Sequence, residues 1–421
     1  MQTHPESSPR LRRSLSLPGH NLWTRGDETL AAQLGDALLV PAIPERVAPE
    51  ERHLLESTLG PHLFHSYAGR THPLLVRALC QDLVAGQTLL DPFVGSGTVA
   101  VEGARIGLRT IGCDVSALSV RLTRLKATPL PKGMQQALLT RALTVYESSL
   151  ERVKKRLSPP RNYDQPQHYA PHVYLELCGL RQEIAMVCAA DAPLGEALLL
   201  VFSAIVVKSS NQRSESSSET VTRHIGKGMV SRWWLRKVEE LVRLHSAGFW
   251  LPETKMHPPL LILGDARSVL SPGEGCKLAS GSVDRVITSP PYLGTYDYLS
   301  HHLRRYAWLG VDPSAIERDE MAARRHSQPL GKRRQLHEAD TWNWLSGIER
   351  LLVKDGLCFI VVGDSVIEDT FCDGAGPIRR AAESTRLRVV AEASVERPHV
   401  VRSDKPLPPR REHLMALRRM S

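Results

Sequence analysis

The seven cysteines are odd in number and no two of them stand in a C-x-x-C spacing. That argues against a secreted disulfide framework or a zinc ribbon and suits a reducing compartment. Long apolar runs are also missing. The longest, Ala197–Val207, has 11 residues and contains Ser203. A membrane span needs about 20 residues, so this run is expected to be a buried helix or strand, and no membrane partner is expected. Arg10, Arg12 and Arg13 have no apolar stretch behind them, so no signal peptide is visible and a cytoplasmic location is expected. No internal repeat stands at a solenoid or propeller period. Gly226-Lys227-Gly228 lacks both the earlier Gly and the following Ser or Thr of a nucleotide P-loop. The histidines, His301-His302 included, show no metal-ligand spacing with Cys or Asp, so no metal is implied.

What is present is an ordinary globular composition, 42% hydrophobic and 24% charged over 421 residues, which excludes wholesale disorder and suits two or three domains. Lys and Arg number 54 against 45 Asp and Glu, giving a net charge of +9. The excess suits a polyanionic partner, and it concentrates in Lys208–Arg243, Arg318–Arg334 and Arg397–Arg419. Each of these segments reads equally as a solvated face. Trp233-Trp234, between Arg232 and Arg236, reads as a base-stacking pair or, more simply, as a helical core anchor.

Residues 1–60 are polar and Pro-dotted, an N-terminal extension with one or two helices around Thr29–Leu39. Beyond them, short β-branched or leucine-rich runs appear at Thr88–Leu90, Arg109–Cys113, Leu260–Leu263, Val283–Thr288, Leu357–Val362, Arg388–Val395 and His413–Leu417. Helical patterns separate most of these, the signature of a mainly parallel, doubly wound α/β sheet. The spacing breaks once. Residues 127–258 look helical throughout, at Met134–Lys155, Val173–Ala190, Leu194–Val207 and Trp233–Leu244. A connection of that length carries its own structure, so it is expected as a helical inserted subdomain between catalytic parts 61–126 and 259–421. Its Ser-rich stretch Ser209–Gly228 reads as a loop.

Leu89-Leu90-Asp91-Pro92-Phe93-Val94-Gly95-Ser96-Gly97-Thr98 follows the first of these strands and opens a helix. Glycines there let the backbone approach a ligand, and the helix N-terminus offers free N–H groups. Gly95, Gly97 and Ala100 also satisfy G-x-G-x-x-A, and Asp114 ends the next strand 23 residues after Asp91, where an acid can take both hydroxyls of a ribose. Asp91-Pro92 separates two cofactor readings. A carboxylate at the strand tip would repel the pyrophosphate of NAD, whereas S-adenosylmethionine brings an ammonium and a sulfonium.

Asp284-Arg285-Val286-Ile287-Thr288-Ser289-Pro290-Pro291-Tyr292 ends the fourth of these strands. Two prolines remove two N–H donors and stiffen the turn, so carbonyls face outward. With the Ser289 hydroxyl and the Tyr292 ring, such a turn suits an exocyclic amino group on a stacked base.

Together, Asp91-Pro92-Phe93-x-Gly95-Ser96-Gly97-Thr98 and Thr288-Ser289-Pro290-Pro291-Tyr292 resemble the amino-methylating DNA methyltransferases, the cytosine-N4 branch in particular. Phe64-His65-Ser66-Tyr67-x-x-Arg70-Thr71-His72-Pro73 resembles the family's segment that precedes the glycine loop and closes over the methionine end of the cofactor, which places Thr71 and His72 among the cofactor residues. Gly264-Asp265-Ala266-Arg267 is similar to the third cofactor motif, whose acid contacts the adenine. The resemblance covers residues 61–126 and 259–421 and implies a Rossmann-like, seven-stranded class I methyltransferase sheet whose last strand, His413–Leu417, is reversed. By the same resemblance Asp91 holds the cofactor ammonium, Gly95 and Gly97 make room for the methionine portion, Asp114 takes the ribose and Asp265 the adenine. Phe93 forms a wall near the adenosine or packs under the loop. A flipped cytosine stacks on Tyr292 and donates its N4 amino group to Ser289 and the Pro290 carbonyl, with Pro291 stiffening the turn. The insertion stands where most such enzymes keep no target-recognition domain. No cysteine follows a proline, which disfavours carbon-5 chemistry. DNA is the expected partner. The alternatives are adenine-N6 methylation, an RNA methyltransferase acting on a base amino group, and a non-catalytic DNA-binding protein on the same fold.

Overall fold

A computed structural model describes residues 21–40, 43, 47–155, 166–214, 219–252, 254–271, 278–324, 326–397 and 407–421. Residues 1–20 of the expected extension, residues 215–218 of the Ser-rich loop and residues 398–406 of the last basic segment lie outside the described residues.

All seven expected strands form, and an eighth joins them. The chain opens with β1 (Leu22–Gly26), α1 (Glu28–Leu38), α2 (Pro49–Leu59) and α3 (Pro73–Leu79). The alternating core then begins with β2 (Thr88–Asp91), α4 (Thr98–Arg105), β3 (Arg109–Asp114) and α5 (Ala117–Ala127). Helices α6 (Lys132–Lys154), α7 (Pro171–Ala190), α8 (Ala192–Ser209) and α9 (Met229–Ser246) precede β4 (Leu260–Leu263) and the short α10 (Ala266–Val269). After β5 (Val283–Thr288) come α11 (Tyr298–Leu309), α12 (Ser314–Asp319), α13 (Leu330–Leu351) and β6 (Leu352–Gly363). The small hairpin β7 (Ser365–Ile367) and β8 (Thr370–Cys372) leads to α14 (Gly376–Glu383), β9 (Leu387–Glu396) and β10 (Arg411–Arg419).

The sheet order is β1-β9-β10-β6-β5-β2-β3-β4. β10 runs antiparallel to both β6 and β9, the reversed strand that the motifs implied. The eighth strand, β1, lies in the N-terminal extension, where only helices around Thr29–Leu39 were expected, and pairs antiparallel with β9. All five of its residues are exposed, so it carries no apolar alternation for a sequence pattern to detect.

Period-two alternation builds two cores from the same strands. Leu89, Ile287, Phe359, Val361, Leu414 and Ala416 face one layer, with α1 and α3. Leu90, Val286, Cys358, Ile360, Met415 and Leu417 face the other, with α13 and α14. From β2 the chain steps outward through β3 and β4, then returns to β5 on the opposite side of β2. That reversal opens a crevice beyond the carboxyl ends of β2 and β5, where ligands bind in open α/β sheets.

Helices α6–α9 share a core with the sheet domain's own helices. Leu177, Leu198, Phe202 and Trp234 pack in one cluster with Leu118 and Leu122 of α5 and with Tyr306 and Trp308 of α11. The long apolar run lies in α8, a helix long and apolar enough to cross a membrane by length and composition, yet mostly buried within the protein. Its Ser203 is buried because His65 Nε2 meets the hydroxyl at 3.0 Å and Arg305 donates to its carbonyl at 3.0 Å. Trp234 is a core anchor, donating its indole N–H to the Leu198 carbonyl at 3.2 Å.

Candidate active site

Asp91 is the last residue of β2, and it is 4% exposed. Its Oδ1 accepts the Phe93 N–H at 3.1 Å and the Thr288 hydroxyl at 2.7 Å, so the two motif strands meet on one carboxylate. The chain then turns through Gly95, at φ +46°, and Gly97, at φ +83°, which stands at the N-cap of α4. A Cβ on Gly97 would sit 2.7 Å from the Thr123 hydroxyl, so both the backbone and its neighbour require glycine. Gly95 donates its N–H to Asp114 Oδ2 at 2.8 Å, and Ser116 donates to Oδ1 at 2.8 Å. Asp114 thus braces the loop from the end of β3.

These groups border a cavity of about 810 Å³ including its open mouth. Of the expected residues, Thr71, Asp91, Phe93, Gly95, Asp114, Asp265, Ser289 and Pro291 line it. Gly97 lies beneath the loop. His72 is buried and caps α3, its Nδ1 accepting the Leu74 N–H at 3.2 Å. Phe93 borders the cavity and meets Trp344 edge to face at 5.5 Å. Asp265 reaches the cavity already paired, with Arg267 on its carboxylate at 2.6 Å and Asp340 on the same guanidinium at 2.7 Å. Pro290 and Tyr292 stand behind the wall. Tyr292 is 7% exposed, with its hydroxyl on Glu412 and the Arg397 guanidinium 5.6 Å from its ring centre. The expected open stacking platform is therefore a buried, hydrogen-bonded ring, because the reversed strand brings a carboxylate against it.

No family model matches the sequence. Over 275 residues the chain is 25% identical to the Type II methyltransferase M.BsoBI of Geobacillus stearothermophilus, covering 58% of this chain and 51% of that protein. Over 93 residues it is 34% identical to the Type II methyltransferase M.MvaI of Kocuria varians, covering 21% of this chain and 20% of that one. The matches thus span about half the length of the first relative and a fifth of the second. The solved structure of TrmN from Thermus thermophilus is 13% identical, with a TM-score of 0.35, over 90% of this chain and 56% of that chain. Over these stretches the chain is similar to Type II methyltransferases.

The cavity fits S-adenosylmethionine by the chemistry of its donors. Every hydrogen bond to Asp91 and Asp114 given above comes from an uncharged N–H or O–H, so among the described residues a buried and a half-buried carboxylate face one space on neutral donors alone. Burial, with the charge of Asp114 adding to it, pushes the Asp91 carboxyl up to about 7. Burial pushes Asp114 up to about 6 against its backbone donors. A ligand with an ammonium and vicinal hydroxyls supplies the missing counter-charge and donors.

Lys126 and Glu320 had no sequence signal, and Tyr67 stood in a motif without a role assigned to it. Lys126 is buried under the glycine loop, donating to the Ser96 carbonyl at 2.5 Å, and burial pushes its amine down to about 7. Glu320 lines the cavity and accepts the N–H groups of Tyr298 at 2.8 Å and Leu299 at 3.2 Å, capping α11. Tyr67, within the segment before the glycine loop, lines the cavity with its hydroxyl 2.8 Å from Ser119. Of the Lys208–Arg243 cations, Lys208 lies over Trp233 at 4.6 Å and Arg243 pairs with Glu56 at 3.0 Å, while Lys227, Arg232 and Arg236 are exposed.

Proposed function

We propose that this chain transfers a methyl group from S-adenosylmethionine to an exocyclic amino group of DNA, the N4 of cytosine. The observation that carries the reading is that Ser289 and Pro291 border the same cavity as Asp91 and Asp114, joined through the Thr288–Asp91 hydrogen bond. A base amino group held at Ser289 then lies across one space from a cofactor held at the glycine loop. The cofactor supplies a methyl group on a cationic sulfur, which needs no metal and no protein nucleophile.

The chain's own residues bind, orient and exclude water. Asp91 takes the ammonium, Asp114 the ribose hydroxyls, and Gly95 keeps the wall low enough for the ligand to pass. Asp265, tied to Arg267, offers a fixed edge for the adenine. Ser289 and the Pro290 carbonyl accept from the amino group, turning the nitrogen lone pair out of conjugation with the ring and toward the methyl. Positioning and fixed dipoles supply the acceleration. Ser289 is neutral, so it holds an amino group without the full charge of an aspartate at that place, which favours cytosine in this reading. The exposed Lys227, Arg232 and Arg236 are assigned to DNA phosphates.

The test is nucleoside mass spectrometry of DNA incubated with the protein and isotope-labelled S-adenosylmethionine. N4-methylcytosine is the expected product. N6-methyladenine as sole product would replace cytosine by adenine in the assignment, and label confined to RNA would overturn DNA as the substrate.

A further inference from the structure

The Ser289–Tyr292 turn is tied to the reversed strand by a hydrogen bond whose acceptor lies outside the motif. Glu412, the second residue of β10, is fully buried and lies opposite Gly363 of β6 and Val395 of β9. Because β10 runs backwards, its first residues emerge at the edge where β5 and β6 end. There Tyr292 donates its hydroxyl to Glu412 Oε1 at 2.5 Å, and Ser289 Oγ donates to the Tyr292 hydroxyl at 3.3 Å. Arg397 pairs with the other oxygen of Glu412 and gives the buried carboxylate its counter-charge. Gly363 makes room for the arrangement. A Cβ there would stand 2.9 Å from the Tyr292 ring and 2.8 Å from the Arg397 guanidinium.

We propose that Glu412 is a positioning residue that sets the direction of the Ser289 hydroxyl, leaving its oxygen as an acceptor for the amino group of the target base. This inference rests on the reading of Ser289 as the base-binding residue.

A serine hydroxyl has one proton and two lone-pair directions, and it rotates to suit its partners. An ionised carboxylate only accepts. The Tyr292 proton therefore points at Glu412, the phenol oxygen receives the proton of Ser289, and Ser289 keeps only lone pairs for the cavity. Burial and the Glu412 charge push the Tyr292 phenol well above its ordinary range, so it remains a donor. Without the relay, the Ser289 proton is free to turn toward the base amino group, setting donor against donor. With it, a neutral serine accepts as a carboxylate would. The 3.3 Å contact is long for a pair of hydroxyls, and such contacts tighten when the substrate is bound.

The test compares single-turnover methyl transfer to duplex DNA by the full chain and its variants, with cofactor affinity from calorimetry and thermal melting measured alongside. Y292F keeps the ring and the Glu412–Arg397 pair but breaks the relay. It is expected to slow transfer at least tenfold while cofactor affinity stays within twofold. E412Q is expected to behave alike, and if it fails to fold, Y292F carries the test. The loss is expected in the single-turnover rate at saturating DNA, with the DNA concentration that gives half the maximal rate staying within threefold of wild type. Y292F at the wild-type rate overturns the inference. So does a Y292F loss matched by a corresponding fall in melting temperature or cofactor affinity, which marks a purely structural role. A wild-type chain that transfers nothing to DNA overturns the functional reading as well, whereas an active wild type with an indifferent Y292F overturns this inference alone.

Discussion

Asp91, in the ammonium-binding role proposed for it, would couple ligand binding to pH. An aspartate in the unfolded chain ionises near 3.9, but in the fold burial holds this carboxyl up to about 7. The free protein therefore loses stability as pH rises from about 4 toward 7, because ionisation favours the unfolded chain. An ammonium at Asp91 reverses the preference and draws the proton off. Affinity for S-adenosylmethionine is expected to rise between pH 5.5 and 8, by up to about tenfold per unit below the carboxyl's own range. Binding at pH 6.5 should release a proton, visible as a calorimetric heat that depends on the buffer's ionisation enthalpy. D91N should flatten the pH dependence, and D91A should weaken binding at least tenfold, about 1.4 kcal/mol. A wild-type affinity that ignores pH over this range would remove Asp91 from the cofactor site.

Two elements carry strain or charge that can be measured apart from chemistry. The loop between β2 and α4 turns through Gly97 at φ +83°, with Thr123 packed where a side chain would go. G97A is expected to destabilise the fold by about 1–3 kcal/mol in urea unfolding, and an unchanged midpoint would mean that the loop is not held as described. On β10, His413 Nε2 lies 3.1 Å from Asp364 and Nδ1 lies 3.4 Å from Glu392. Burial alone would lower the imidazole, but these two carboxylates outweigh it and hold His413 up at about 9. Its stabilising contribution is present in full below about 6.5 and is lost as pH rises through about 9. The contribution is on the order of 3 kcal/mol. H413Q should flatten the stability profile between pH 6.5 and 9, and a wild-type profile that does not fall there would contradict the network.

For the whole molecule, the proposed DNA substrate calls for a basic surface. Lys227, Arg232 and Arg236 are exposed at the start of α9, on a helix whose opposite face buries Val230, Trp234, Val238 and Leu241. The helical segment has a core in common with α5 and α11. Charge reversal of Arg232 and Arg236 together should weaken DNA binding and reduce its salt dependence, since each lost phosphate contact lowers the slope by about 1. Fluorescence anisotropy over a salt series measures both quantities. If affinity and slope remain at wild-type values, this face does not meet DNA.

What the sequence by itself determined is what local chemistry encodes. Seven strands were legible from short β-branched runs, and the glycine loop, Asp114 and the Ser289 turn from residues whose backbone demands are satisfied within a few positions. Tertiary structure decided the partners. β1 is an exposed edge strand whose hydrogen bonds, not its side chains, place it beside β9. His72 acts as a helix cap, and Asp265 arrives paired with Arg267, because the loops around them turn those side chains toward their own backbone and neighbours. Tyr292 and Glu412 are 120 residues apart, and only a reversed last strand brings them together. A carboxylate in such a strand carries no local mark of its role, since its meaning lies in the hydroxyl that the topology sets against it.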